Sequence, residues 1–231
     1  MPDSTSGRLT RLPLFPLGSV LFPHATLFLH IFEPRYREMI EHCRETGSPF
    51  GVVLIREGNE VDPDAEPYMV GTLAHIRDLH RYPDGRMDIG VQGGERFRIR
   101  LLDRETAPYL VGGVEALHEE PSPEPELGRL AEHARGRFEE LVETALGGRP
   151  FEIEVAFTQD PIALSFAIAN LIDGAERRKQ TFLEITDTVE RFAEVLPGLE
   201  EKLALLHAMR DAHASPQPLT PDDVRDFIHP N

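Results

Sequence analysis

The chain is poor in thiols, in positive charge and in long apolar runs. Its single cysteine, Cys43, excludes an intrachain disulfide and any site built on several thiolates. A reducing compartment fits that usage. Lys179 and Lys202 are the only lysines; every other base is arginine. The 24 Lys and Arg face 40 Asp and Glu, a formal net charge of −16. Phosphate contact needs clustered bases, so this balance argues against a general binder of nucleic acid or anionic membrane. The imbalance is uneven, −4 over residues 1–118 and −12 over 119–231. No stretch reaches the roughly 18–20 apolar residues of a membrane-spanning helix. Pro23, His24 and His30 interrupt the most apolar region, Leu21–Phe32. The amino terminus, MPDSTSGRLTR, has no apolar signal core, so a cytoplasmic protein is expected.

Motifs of chemistry are equally scarce. Neither lysine follows a glycine, so there is no G-x-x-x-x-G-K-[ST] phosphate loop. The ten histidines contain no H-E-x-x-H. His75 and His80 are five apart and would face opposite sides of a strand. Ser19, in Leu17-Gly18-Ser19-Val20, has no nucleophile-elbow pattern and reads as a turn serine. Cys43 shares its helical phase with Met39 and Ile40 and reads as a buried, inert thiol. The expectation is therefore a non-catalytic protein without a metal site and without a cofactor.

What the chain does have is an aromatic, proline-punctuated opening. Leu12–Leu17 and Thr26–Phe32 are apolar runs broken by Pro13, Pro16, Pro23 and a Gly-Ser pair. Prolines donate no ladder bond, so both runs read as edge strands or strand ends, not central strands. Glu33-Pro34 then opens a helix with proline in its first turn, and Tyr36, Met39, Ile40 and Cys43 recur at helical spacing. Phe50–Arg56 is a β-branched strand. Met69–His80 and Arg86–Gln92 flank Tyr82-Pro83-Asp84-Gly85 and are expected to pair as a hairpin. Gly93-Gly94 punctuates the next step. From Glu95 to Leu102, Phe97, Ile99 and Leu101 should line one face, with Arg96, Arg98 and Arg100 on the other. Tyr109–Leu117 is a last strand, with Gly112-Gly113 at a bulge.

The composition changes at His118–Glu126. Three prolines and several acids, with no large apolar side chain, read as a stiff linker. Beyond it the periodicity is helical. Glu126–Leu146 carries a continuous apolar stripe that ends at Gly147-Gly148. Phe151–Phe157 is ambiguous between strand and helix. Asp160-Pro161 caps a helix, Ala175–Ile185 is another, and Asp187 with Glu190 forms a capping box for the next. Pro197-Gly198 should break or kink that helix. Thr220-Pro221 caps a short amphipathic turn in the tail. The expected organisation is a loose terminus (1–11), a β-rich region (12–118), a Pro/Glu linker (119–125), a helical region (126–213) and a tail (214–231).

Taken in order, these pieces resemble the amino-terminal, substrate-binding domain of Lon-type ATP-dependent proteases. The resemblance rests on Leu12-Pro13-Leu14-Phe15-Pro16, Glu33-Pro34-Arg35-Tyr36, Gly71-Thr72 and Gly94-Glu95-Arg96-Phe97 in the first half. In the second half it rests on Asp160-Pro161, Lys179-Gln180-x-Phe182-Leu183-Glu184 and Asp187 to Arg191. It implies an α+β fold: a PUA-like small β-barrel or folded sheet followed by an all-α helical bundle. Complete Lon enzymes add an ATPase and a serine–lysine peptidase. Neither is legible before Asn231, so the chain is expected to resemble the stand-alone Lon-domain proteins of bacteria.

That resemblance implies recognition of unfolded or apolar polypeptide, as an adaptor or a regulator of proteolysis, with a Lon-type protease as a further expected partner. Phe15, Leu21, Phe22, Phe28 and Phe32 are the candidate peptide-binding residues, presented by pairing of the client with an edge strand. Two alternatives stay open. One is an RNA-binding module that uses the PUA-like half and the Arg96, Arg98, Arg100 stripe. The other is an unrecognised hydrolase.

Overall fold

The structure, a computed structural model, describes residues 9–60, 62, 64–145 and 159–211. The chain forms two compact units, residues 1–118 and 119–231. In the first unit the order is β1 (Thr10–Leu17), β2 (Thr26–Ile31), α1 (Pro34–Thr46), β3 (Phe50–Glu57), β4 (Glu66–Arg81), β5 (Met87–Asp103) and β6 (Val111–Ala116). The strands make one mixed six-stranded sheet in the order β2-β5-β4-β3-β1-β6, and β5 also pairs β6. Of the two forms implied by the resemblance, this is the folded sheet. Long β5 serves β2 and β4 with its first half, and β4 and β6 with its second. Among the described residues the free edge lies at β2.

The two proline-broken runs end up differently. β2 is an edge strand, as expected. β1 is not: Thr10–Pro13 pairs antiparallel with β6, and Leu14–Leu17 parallel with β3. The prolines fit because each half carries a single ladder. The Leu14 N–H donates to the Leu110 carbonyl at 2.8 Å. Backbone groups alternate sides along a strand, so the absent Pro16 amide points the same way, past the end of the β6 ladder. The absent Pro13 amide points the other way, ahead of the β3 ladder.

Gly93 and Gly94 do not separate two strands; both lie inside β5. A Cβ on Gly93 would sit 2.1 Å from the Phe22 carbonyl oxygen, and one on Gly94 2.7 Å from His75 Nε2. The pair is there for close approach, with a register shift toward β4 nearby. The arginine stripe is also corrected. Arg96 is buried, at 4% exposure, whereas Leu101 is 62% exposed. A register shift against β6 between Ile99 and Leu101 leaves Arg100 as the extra residue and inverts the phase. Phe97 and Ile99 are core, as expected.

α1 follows the sequence closely. Pro34 stands in its first turn, Tyr36, Met39, Ile40 and Cys43 are buried, and Gly47 ends it in the left-handed region at φ 64°. These side chains pack with Phe15, Leu17, Leu21, Leu27, Ile31, Phe50, Met87 and Val91 in the larger core of the unit. Burying such apolar surface is worth about 1.5–3 kcal/mol per large side chain.

The second unit holds α2 (Glu124–Ala145), α3 (Pro161–Leu171), α4 (Glu176–Glu184) and α5 (Thr188–Asp211) among its described residues. Asp160 caps α3 by accepting from the amides of Ile162 (3.0 Å) and Ala163 (3.4 Å). Pro197 does not break α5, which runs through it. Gly198 is buried there because a Cβ would lie 2.7 Å from Ile172 Cγ2. Residues 119–122 lie along the start of α5. The Glu120 N–H donates to the Thr186 carbonyl at 2.9 Å, and the Ser122 hydroxyl to Asp187 at 2.8 Å. The readings of Gly147-Gly148, Phe151–Phe157 and the tail beyond 211 fall outside the described residues.

Candidate functional site

The motif residues of the first half build structure. Glu33 and Arg35 form an ion pair at 2.9 Å. The Arg35 guanidinium also donates to the Glu60 carbonyl and lies 4.6 Å from the Tyr36 ring centre. Tyr36 is buried against Phe15, ring centres 4.1 Å apart, and burial pushes its hydroxyl up to about 12. Gly71 cannot carry a side chain, since a Cβ would stand 2.4 Å from the Val52 carbonyl oxygen. Pro16 and Arg96 are buried, Pro13 half-buried, and Pro34 exposed at the helix start. A 140 Å³ cavity beside this cluster is bordered by Arg35, Tyr36, Arg104 and Tyr109. Arg104 is itself held there, donating to the Ala65 carbonyl at 3.1 Å. An open groove of about 570 Å³ lies along the outer face of α1, between charged Arg37, Glu38, Glu41 and Arg81.

The five aromatic and aliphatic candidates divide. Phe15, Leu21 and Phe22 are core residues and offer no surface. Phe28 and Phe32 remain, at 56% and 55% exposure. They are the most exposed aromatic side chains of the unit; Phe28 lies in the edge strand and Phe32 immediately follows it. Alternation along β2 sets the exposed face: Leu27, Leu29 and Ile31 turn to the core, and Phe28 and His30, with Phe32 just beyond the strand, turn to solvent.

Side chains from β4 and β5 complete this face. His30 stacks on Phe32 with ring centres 6.2 Å apart and meets Tyr82 edge-on at 6.2 Å. Tyr82 meets His80 edge-on at 4.9 Å. Asp88, opposite His30 in the ladder, binds His30 Nδ1 at 2.6 Å and accepts from the Tyr82 hydroxyl at 2.5 Å. Those two hydrogen bonds, Tyr82 first, hold the Asp88 carboxyl below the usual range, and Asp88 in turn pushes the Tyr82 hydroxyl up. One row along, Gly90 lies between Phe28 and Asp78. A Cβ there would stand 3.2 Å from Phe28 Cε1 and 3.5 Å from Asp78 Cβ, so the aromatic ring covers the glycine. Asp78 makes no ion pair among the described residues. At the Thr26 end, Arg77 donates to Gln92 at 2.7 and 3.0 Å.

The sequence presents His30 and His80 only as histidines without metal-ligand spacing and Tyr82 only as part of a turn, and it does not join them with Asp88 into one face. The signal was there in the alternation Phe28-x-His30-x-Phe32. Their partners on β4 and β5 lie about 50 residues further on and come near only through the sheet register.

Other candidates stand apart from this face. Arg98 is half-buried, and Arg100 is paired with Glu115 at 2.6 Å, so the three arginines present no common basic surface. Burial alone pushes the Cys43 thiol up to about 11, far from thiolate chemistry at neutral pH. No group of three or more potential metal ligands occurs among the described residues. None of the described helices is long and apolar enough to cross a membrane.

Residues 11–201 match the family model of the ATP-dependent protease La (LON) substrate-binding domain. Lon protease 1 of Thermus thermophilus is 32% identical over 191 residues, which cover 80% of this chain and 24% of that protein. Lon protease 2 of Myxococcus xanthus is 32% identical over 200 residues, covering 84% and 24%. The chain thus spans about a quarter of the length of these curated relatives. The crystal structure of a Lon N-terminal domain protein from Xanthomonas campestris superposes with a TM-score of 0.60 at 29% identity, over 82% of this chain and 98% of that one. The N-terminal domain of a Mycobacterium avium complex Lon protease shares the fold at a TM-score of 0.67 and 15% identity, over 83% and 99%. The sequence match over most of its length, together with this fold, establishes that the chain belongs to the Lon substrate-binding domain family.

Proposed function

We propose that this chain binds unfolded or apolar polypeptide without acting on it chemically, as an adaptor or regulator of proteolysis, and that a Lon-type protease is among its partners. The observation that carries the reading is the pair of exposed phenylalanines, Phe28 on the free-edge strand and Phe32 just past its end, in a domain whose family is defined by substrate binding. An exposed apolar cluster on a sheet edge marks an interaction surface. The alternatives lack such support: the arginines are dispersed, and Cys43 is sequestered.

The test uses the full chain and fluorescent peptides from the cores of unfolded model proteins. Binding is expected to be modest, because an ordered client loses chain entropy, and tolerant of salt. Phe28→Ser with Phe32→Ser should weaken it about tenfold or more while leaving the thermal transition in place, since both side chains are exposed. Equal binding by wild type and the double variant, or no binding by either, defeats the reading.

A further inference from the structure

Strand β2 exposes more than side chains. The Gly93 N–H donates to the Ala25 carbonyl at 2.8 Å, and the β2–β5 register runs unshifted from Thr26↔Gln92 to Ile31↔Met87. In an antiparallel ladder, hydrogen-bonded and non-bonded pairs alternate. The bonds to β5 therefore fall on Leu27, Leu29 and Ile31. The other flank of β5 agrees: the Tyr82 N–H donates to the Arg86 carbonyl at 2.9 Å, which assigns Asp88 and Gly90 to the β4 ladder and leaves Met87, Ile89 and Val91 for β2. The amides and carbonyls of Thr26, Phe28 and His30 consequently point away from the sheet, at the free edge.

The residues that present these backbone groups are also the ones whose side chains face solvent. Sheets usually blunt such an edge with proline, lysine, an inward charge or a bulge. β2 has none of these between Thr26 and Ile31. Charge on the adjoining rows narrows the occupant. Asp78 stands across Gly90 from Phe28, and Asp88 stands opposite His30. Both are acidic side chains in a chain of formal net charge −16.

We infer that the client binds as an added strand along β2, its backbone hydrogen-bonded to Thr26, Phe28 and His30, with apolar side chains on Phe28 and Phe32 and a basic side chain at Asp78. This mode rests on the polypeptide-binding reading above and deepens it. The main chain supplies sequence-independent attachment, and the alternating side chains select. The preferred client is an extended segment, apolar at every second residue and carrying Lys or Arg in place of Asp or Glu. Buried strands exposed by unfolding and flanked by basic gatekeepers have that character.

The experiment measures binding of the full chain to a synthetic peptide of about eight residues, alternating Val or Phe with Thr and one Lys, and to its backbone N-methylated versions. A strand adds through one parity of its amides. N-methylation of that parity should weaken binding about tenfold, and of the other parity less than about twofold. The protein side is probed with His30→Pro against His30→Ala. The His30 amide is not used by β5, so proline at this edge position keeps the ladder but removes the donor, and only His30→Pro should lose the additional affinity. Replacing the peptide Lys with Glu should weaken binding, and Asp78→Asn should reduce that difference. If the parent peptide binds but both parities respond alike and the two His30 variants bind equally, recognition is by side chains alone: this inference falls and the polypeptide-binding reading stands. If the parent peptide does not bind, both fall.

Discussion

The guanidinium of Arg191, with no exposed surface, meets the Glu119 carboxylate at 2.9 Å. Arg191 also donates to the Ser165 hydroxyl and the Ile185 carbonyl, and lies 3.9 Å from the Phe166 ring centre. Glu119 is the first residue of the helical unit, so a buried cation ties the start of that unit to α3 and α5. Removing one partner strands a buried charge. Glu119→Ala should destabilise the unit by about 3–5 kcal/mol, and Glu119→Gln by less, because an acceptor remains. Chemical denaturation followed by far-UV circular dichroism would check this; equal loss in the two variants would refute the charge argument.

Pro197 and Gly198 should respond in opposite directions. Pro197→Ala restores an amide whose helical acceptor is the Ala193 carbonyl, and should raise stability, by up to about 3 kcal/mol. Gly198→Ala would gain about 0.5–1 kcal/mol in an open helix. Here its Cβ would stand 2.7 Å from Ile172, so a loss is expected. Thermal melts of the two variants provide the comparison.

The Asp103 carboxyl is held well below the usual range. The Thr106 hydroxyl, then the amides of Thr106 and Glu105, hold it down to about 2. The unfolded value is about 3.9. A depressed acid stabilises the fold above its unfolded pKa, and that contribution is lost as pH falls through the folded value. The effect should therefore fade between about pH 4 and 2. A carbon-detected NMR titration should place Asp103 near 2, and Thr106→Val should move it upward.

Cys43 should be inert to thiol reagents in the native state. Its burial and a thiol pushed up to about 11 leave almost no thiolate at pH 8. Labelling should proceed only at the rate of unfolding and become fast in denaturant. Rapid native labelling would contradict the packing of α1.

Helical phase and capping were the legible part of the sequence. Pro34, Asp160 and the apolar spacing of α1 act locally, within one or two turns, so the residues alone declare them. What was hidden depends on partners distant in sequence. Prolines in β1 argue for an edge strand until the chain supplies β6 to one half and β3 to the other. A single extra residue at Arg100 inverted the expected face of Leu101. The candidate site was half legible: Phe28 and Phe32 were named with three aromatic and aliphatic neighbours of the same hydrophobicity, and only the tertiary fold separates them, burying Phe15 in a part of β1 covered on both faces and Leu21 and Phe22 in the segment before β2. Tyr82 and Asp88 gave no local sign, because register brings them to His30.

The pairing of β1 with β6 also governs how the chain folds as it is synthesised. Thr10 lies opposite Val114, so the first strand cannot complete its ladder until more than a hundred further residues have left the ribosome. Until then β1 has β3 alone, and β5 lacks β6 along its second half. Contacts this distant are slow to form. The unfinished sheet exposes two apolar edges in the interval, a state open to mispairing with other nascent chains. A ribosome-stalled chain ending before Val111 should remain protease-sensitive across β1, and one extended past Ala116 should become protected.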